Sequence, residues 1–86
     1  MPLRLRTDIA QVDTEDGVVL LDERTGQYWQ LNHTGALVLA ALTQGQEPDQ
    51  AARELADTFS IDPAQARADV TAVTDQLRAA KLVPPS

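Results

Sequence analysis

The hydrophobic period of this chain changes at Leu31-Asn32, and that change limits what it can fold into more than any other feature. Before it, short apolar runs alternate with turn residues at period two, which is the pattern of strands. After it, Val38, Leu39 and Leu42 recur at about 3.6 residues, which is the pattern of a helix. The order strand, strand, strand, helix, helix, helix follows. It predicts an α+β fold in which a three-stranded antiparallel sheet precedes three α-helices.

In "EDGVVLLDERTGQYWQL", Asp16-Gly17 turns the chain before Val18-Val19-Leu20-Leu21, and Gly26 supplies the positive φ that closes a second hairpin. Strands are expected at about 3–12, 17–22 and 27–31. The first has the weakest alternation, which breaks around Thr7-Asp8. Helices are expected at about 33–44, 48–59 and 63–81, all within one domain over residues 1–86. Asn32 or Thr34 can cap the first helix and Gly45 ends it. The second starts at Pro48 with a stripe of Ala51 or Ala52, Leu55, Ala56 and Phe59. In "DPAQ", Asp62 reads as N-cap of the third and Gln65 as its capping-box partner. Ala66, Val70, Val73, Leu77 and Ala80 then form its core stripe, until Pro84-Pro85 stops it.

Composition narrows the function. The 86 residues are 43% hydrophobic and 23% charged, in the range of folded domains, and a domain of this size has little room for a deep enclosed pocket. Its 13 acidic and 7 basic residues leave a net charge of −6, which repels phosphate backbones and anionic membranes. Neither nucleic acid nor membrane is an expected partner. No apolar run reaches membrane-spanning length and no signal peptide follows Met1-Pro2-Leu3-Arg4, so a cytoplasmic location is expected. There is no cysteine and a single histidine, His33. No triad, metal-ligand spacing or cofactor motif is present, so the expectation is a protein that is not an enzyme and takes no cofactor or metal.

The turn Thr25-Gly26, the aromatics Tyr28-Trp29, the pair Leu31-Asn32 and the helix start Thr34-Gly35-Ala36 resemble the PqqD-like family. These are peptide-recognition domains for ribosomally synthesised, post-translationally modified peptides. The likeness continues through Leu55, Phe59, Asp69-Val70, Leu77 and Lys81-Leu82-Val83. It departs at Leu39, where the family often has tryptophan. The resemblance implies a winged helix-turn-helix-like fold and capture of a precursor's leader peptide, added as a strand beside the third strand and next to the third helix. A stand-alone domain looks most like the recognition proteins of lasso-peptide systems. That likeness implies a leader peptidase and a ring-forming synthetase as partners.

The residues read the same way. Gln27, Tyr28, Trp29, Gln30 and Leu31 contain no proline or charge to block pairing, whereas Arg4, Arg6 and Asp8 place charge on the first strand. Period two sets Gln27, Trp29 and Leu31 on the core face and Tyr28 with Gln30 on the other. Asp69, Ala72, Val73 and Gln76 flank the stripe of the third helix on the side that would face an added strand. Trp29 and Val73 also fit as plain core, Tyr28 as a partly exposed strand aromatic, and Asp69 and Gln76 as solvated helix positions. A small winged-helix DNA-binding regulator is the alternative from another class. Its recognition helix, Pro63 to Lys81, sets Asp69 and Asp75 against Arg67, Arg78 and Lys81. A subunit that only holds an enzyme in shape is a third reading.

Overall fold

The computed structural model describes residues 4–83. Three strands, β1 (Ile9–Thr14), β2 (Gly17–Asp22) and β3 (Tyr28–Asn32), precede three helices, α1 (His33–Thr43), α2 (Pro48–Phe59) and α3 (Pro63–Ala79). The sheet is antiparallel in the order β1-β2-β3, so β3 is one of its margins.

Two turns set the register. Glu15 and Asp16 form the tight connection between paired Thr14 and Gly17. Only glycine fits at 17: its φ is +147°, and a Cβ there would lie 2.0 Å from the Leu31 carbonyl oxygen. The second turn is closed by the amides of Asp22 and Gly26, which donate to Gln27 O and Asp22 O, both at 2.8 Å.

The helices cover the inner face of the sheet. One cluster joins Ile9, Val18, Leu20 and Leu31 to Leu39, Leu77, Leu82 and Val83, and a second lies among the helices around Val38, Leu42, Leu55, Ala66 and Val70. Half-buried Val73 packs against both, which fixes α3 relative to sheet and bundle.

Four expectations need correction. The first strand runs over Ile9–Thr14 rather than 3–12, and of that span Leu3 lies outside the described residues. Arg4, Arg6 and Asp8 therefore precede the strand and do not guard its margin. Arg6 instead reaches across to buried Asp22, Nη2 to Oδ2 at 2.8 Å, with its Nε 3.3 Å from Asp8 Oδ1. That approach is an ion-pair contact whose geometry is not a hydrogen bond. At the start of α3, Asp62 holds the cap position without a side-chain bond, and Gln65 Nε2 donates to Asp69 Oδ1 at 2.9 Å. The reciprocal arrangement falls to α2, where the Glu47 amide donates to Gln50 Oε1 at 3.1 Å. Finally, Phe59 is 36% exposed, so the α2 stripe leaves the core at its last turn.

Candidate peptide-binding site

The outer margin of β3 can be resolved group by group. Hydrogen-bonded and non-bonded pairs alternate along an antiparallel ladder. The Asp22 amide bonds to Gln27 O, so the pairs Leu20–Trp29 and Val18–Leu31 are the bonded ones. On the other side of β2, the Glu23 amide donates to Asp8 O at 3.0 Å, which assigns Leu21 and Val19 to β1. The two ladders use alternate residues of β2, as a central strand requires. Trp29 and Leu31 thus direct their backbone groups at β2. Tyr28 and Gln30 direct an N–H and a C=O each away from the sheet, joined by the amide of Asn32.

Beyond that margin lies a groove of about 530 Å³, lined by Gln30 and Leu31 on the strand side and by Asp69, Ala72, Val73 and Gln76 on α3. No Cα of β3 comes within 8 Å of one in α3. Adjacent strands lie about 4.8 Å apart, the spacing at which an extended chain would pair with β3 inside this groove. Exposed Ala72 keeps the far wall low.

Local sequence explains the shape. Asn32 leaves the strand in extended conformation and accepts from the Gly35 amide at 2.9 Å and the Thr34 hydroxyl at 2.8 Å, which starts α1 at once. Buried Gly35 lets Leu31 pack against the helix start, 3.2 Å from where a Cβ would stand. On α3 the core stripe turns Val70 and Leu77 inward, leaving Asp69, Ala72 and Gln76 along its flank.

Of the nine residues expected from the sequence, the groove brings together Gln30, Leu31, Asp69, Ala72, Val73 and Gln76. Gln27 precedes β3 and its carbonyl is already taken by Asp22. Tyr28 is 69% exposed on the outer face of the sheet, and half-buried Trp29 packs against the inner core cluster. Asp16, Asn32, Thr34 and Gly35 also line the groove and were not foreseen. The signal for Asp16 was the two-residue turn, because the register that pairs Gly17 with Asn32 carries Asp16 to the end of β3.

Asp16 and Asp69 are the charged lining residues, and neither forms an ion pair among the described residues. The groove is thus acidic at two points, with Leu31, Gly35, Ala72 and Val73 as its small or apolar lining and Gln30, Asn32, Thr34 and Gln76 as its uncharged polar lining. Among the described residues no group of three or more His, Asp or Glu side chains could hold a metal ion. His33 is exposed at the first position of α1. No helix among the described residues is long and apolar enough to cross a membrane.

Comparison with known proteins now bears on this geometry. A chain described as "Lasso peptide synthetase B1 complexed with the leader peptide" shares 35% identity and superposes with a TM-score of 0.89, covering 99% of this chain and 100% of that one. A second, "TbiB1 in Complex with the TbiA(beta) Leader Peptide", has 22% identity and a TM-score of 0.81 with 96% of each chain covered, a likeness of fold. There is no match among curated proteins. The profile of PqqD, described as Coenzyme PQQ synthesis protein D, matches residues 17–83, a span that takes in the central strand, the open margin and all three helices. On that match, and on the shared fold, this chain belongs to the PqqD family.

Proposed function

We propose that this protein is a non-catalytic adaptor of lasso-peptide biosynthesis, which holds the leader of a precursor peptide and delivers it to a leader peptidase. The observation that carries the reading is the margin of β3, unpaired among the described residues and facing a groove whose opposite wall is α3. The 35% identical relative, described with a leader peptide, supports it.

Strand addition accounts for both features. An incoming strand bonds to Tyr28 and Gln30 and to the Asn32 amide, about five hydrogen bonds at ~1 kcal/mol net each. Ordering a flexible leader costs about 2–5 kcal/mol, so pairing alone leaves little. A micromolar dissociation constant needs about 8 kcal/mol. The remainder corresponds to about 200–300 Å² of apolar leader surface at ~25 cal/mol per Å². The leader side chains opposite Trp29 and Leu31 point inward, toward Ala72 and Val73, and are the ones to supply it. Holding the leader raises the effective concentration of the attached core peptide at the enzyme.

The DNA-binding alternative draws no support from α3, which turns Asp69 toward the groove on a chain of net charge −6.

The test is calorimetric titration with a synthetic leader. In Gln30→Pro the lost amide is one that faces outward, and the proline ring blocks the approaching strand while pairing with β2 is spared. Affinity is expected to fall more than tenfold with the circular dichroism spectrum unchanged. A folded Gln30→Pro protein that binds with wild-type affinity contradicts strand addition.

A further inference from the structure

The groove is charged at one end only. The Leu82 carbonyl accepts from the Arg6 amide, and Arg6 pairs with Asp22 beside the second hairpin turn, so α3 ends where β3 begins. Gln76 lies toward that end, and Asp69 stands about two helical turns back along the groove. The pairing of Gly17 with Asn32 carries Asp16 to the far end of β3. Both carboxylates therefore border the end at which β3 gives way to α1. Asp69 is half-buried, and the side-chain amide of Gln65, donating to its Oδ1 at 2.9 Å, orients the carboxylate without neutralising it.

We infer that this end of the groove seats a cation, and that the leader residue opposite Leu31 is an arginine or a lysine. The inference rests on the adaptor reading above and names the kind of side chain that the site selects. Two leader positions turn inward, opposite Trp29 and opposite Leu31. Of those two strand residues Leu31 lines the groove and is nearer its acidic end. A strand added there covers Asp69 and displaces water from it. Covering a carboxylate that has no partner is costly, and a cation carried by the same strand offsets that cost. A wholly apolar side chain at this position leaves both carboxylates unpaired, and an acidic one adds repulsion. The walls suit the rest of the residue: Leu31, Ala72 and Val73 receive its methylene stem while its charged end reaches Asp69 and Asp16. The position opposite Trp29, farther from the carboxylates, takes an uncharged side chain.

The experiment titrates the wild-type protein and an Asp16→Asn, Asp69→Asn double variant with the synthetic leader. The titrations are repeated with leaders in which each arginine or lysine in turn is replaced by norleucine, which keeps an apolar stem and removes the charge. Asparagine at 69 can still accept from Gln65, and position 16 is exposed, so the double variant is expected to keep the wild-type circular dichroism spectrum. At one leader position, norleucine is expected to weaken binding to wild type by about two- to tenfold and to the double variant by less than about twofold. The chain has no cysteine, so Ala72→Cys supplies a single thiol on the groove wall. Under air oxidation it is expected to form a disulfide faster with a leader cysteine at the coupled position than with one two residues to either side. A leader with no arginine or lysine in its bound segment, equal losses in the two proteins at every position, or a faster disulfide elsewhere overturns the inference. Gln30→Pro separates this failure from that of the adaptor reading. If Gln30→Pro binds leader normally, strand addition falls and the cation seat with it. If it loses binding and no leader cation couples to the carboxylates, the seat alone falls.

Discussion

The carboxylate of Asp22 is buried beside the second hairpin turn, where it accepts from the Arg24 amide at 2.9 Å, the Thr25 amide at 3.3 Å and the Arg6 guanidinium at 2.8 Å. Burial, the largest single influence, pushes its pKa up. The amide of Arg24, the hydrogen bond from Arg6, the amide of Thr25 and the Arg6 charge together outweigh it, so the carboxyl sits below its ordinary value of 3.8. A carboxyl with a lower pKa in the folded state stabilises the protein above the ordinary value, and that stabilisation disappears as pH falls through it toward the folded value. Thermal unfolding of wild type and Asp22→Asn should therefore differ most near neutral pH and converge in acid, below about pH 4. Parallel curves would remove Asp22 from the acid response. The partnership with Arg6 could not be read from the sequence, because it joins positions with no shared periodicity. Asn32 could, since its side chain acts within three residues of its own position. Gly26 and Gly45 were legible for the same local reason, having positive φ values of 79° and 95°. Ser60 and Lys81 take the same left-handed conformation, at 55° and 60°, without glycine, and nothing local announces them.

Among the elements, helix termini explain why some boundaries were visible and others were not. The α3 core stripe needed only its own spacing, and Ala66, Val70 and Leu77 are buried as that spacing requires. Its end depends on tertiary packing. Lys81 N donates to Arg78 O and Leu82 N to Leu77 O, both at 3.0 Å, which closes a Schellman motif. Leu82 and Leu77 then share the core cluster under the sheet, and Leu82 O accepts from the Arg6 amide at 3.0 Å. The chain after α3 thus serves as a latch between the last helix and the segment before β1. Leu82→Ala, at a position 1% exposed, should cost about 2–5 kcal/mol in chemical denaturation. That is most of the stability available to a domain this small. A loss under 1 kcal/mol would mean that the latch contributes little. The first strand was misplaced for the complementary reason: Leu5 is apolar and packs against the core, so it read as part of the strand even though the alternation breaks at Thr7-Asp8, where ladder pairing stops.

Across the whole molecule, the ion pairs and the acidic groove lie on different parts of the surface. Arg6 and Arg24 are committed to Asp8 and Asp22, near the end of the sheet where β3 begins. Asp16 and Asp69 line the groove without a cation. The net charge of −6 adds a long-range attraction for a positively charged peptide, on top of whatever pairs form in the groove. On the proposed strand addition, backbone pairing to Tyr28 and Gln30 would be indifferent to leader sequence, and selectivity would have to come from inward side chains and from these two carboxylates. Screening acts over about 8 Å at physiological ionic strength, which separates the two contributions. Asp69→Lys should weaken binding of a leader that carries a cation at the groove by about two- to tenfold, the scale of a partly exposed charge pair. The loss should shrink as salt is raised, whereas the loss caused by Gln30→Pro should persist at high salt because it removes pairing and space rather than charge. Calorimetric titrations of both variants at low and high salt check this. Equal affinity of Asp69→Lys and wild type at low salt would take Asp69 out of the binding surface and leave selectivity to the apolar floor.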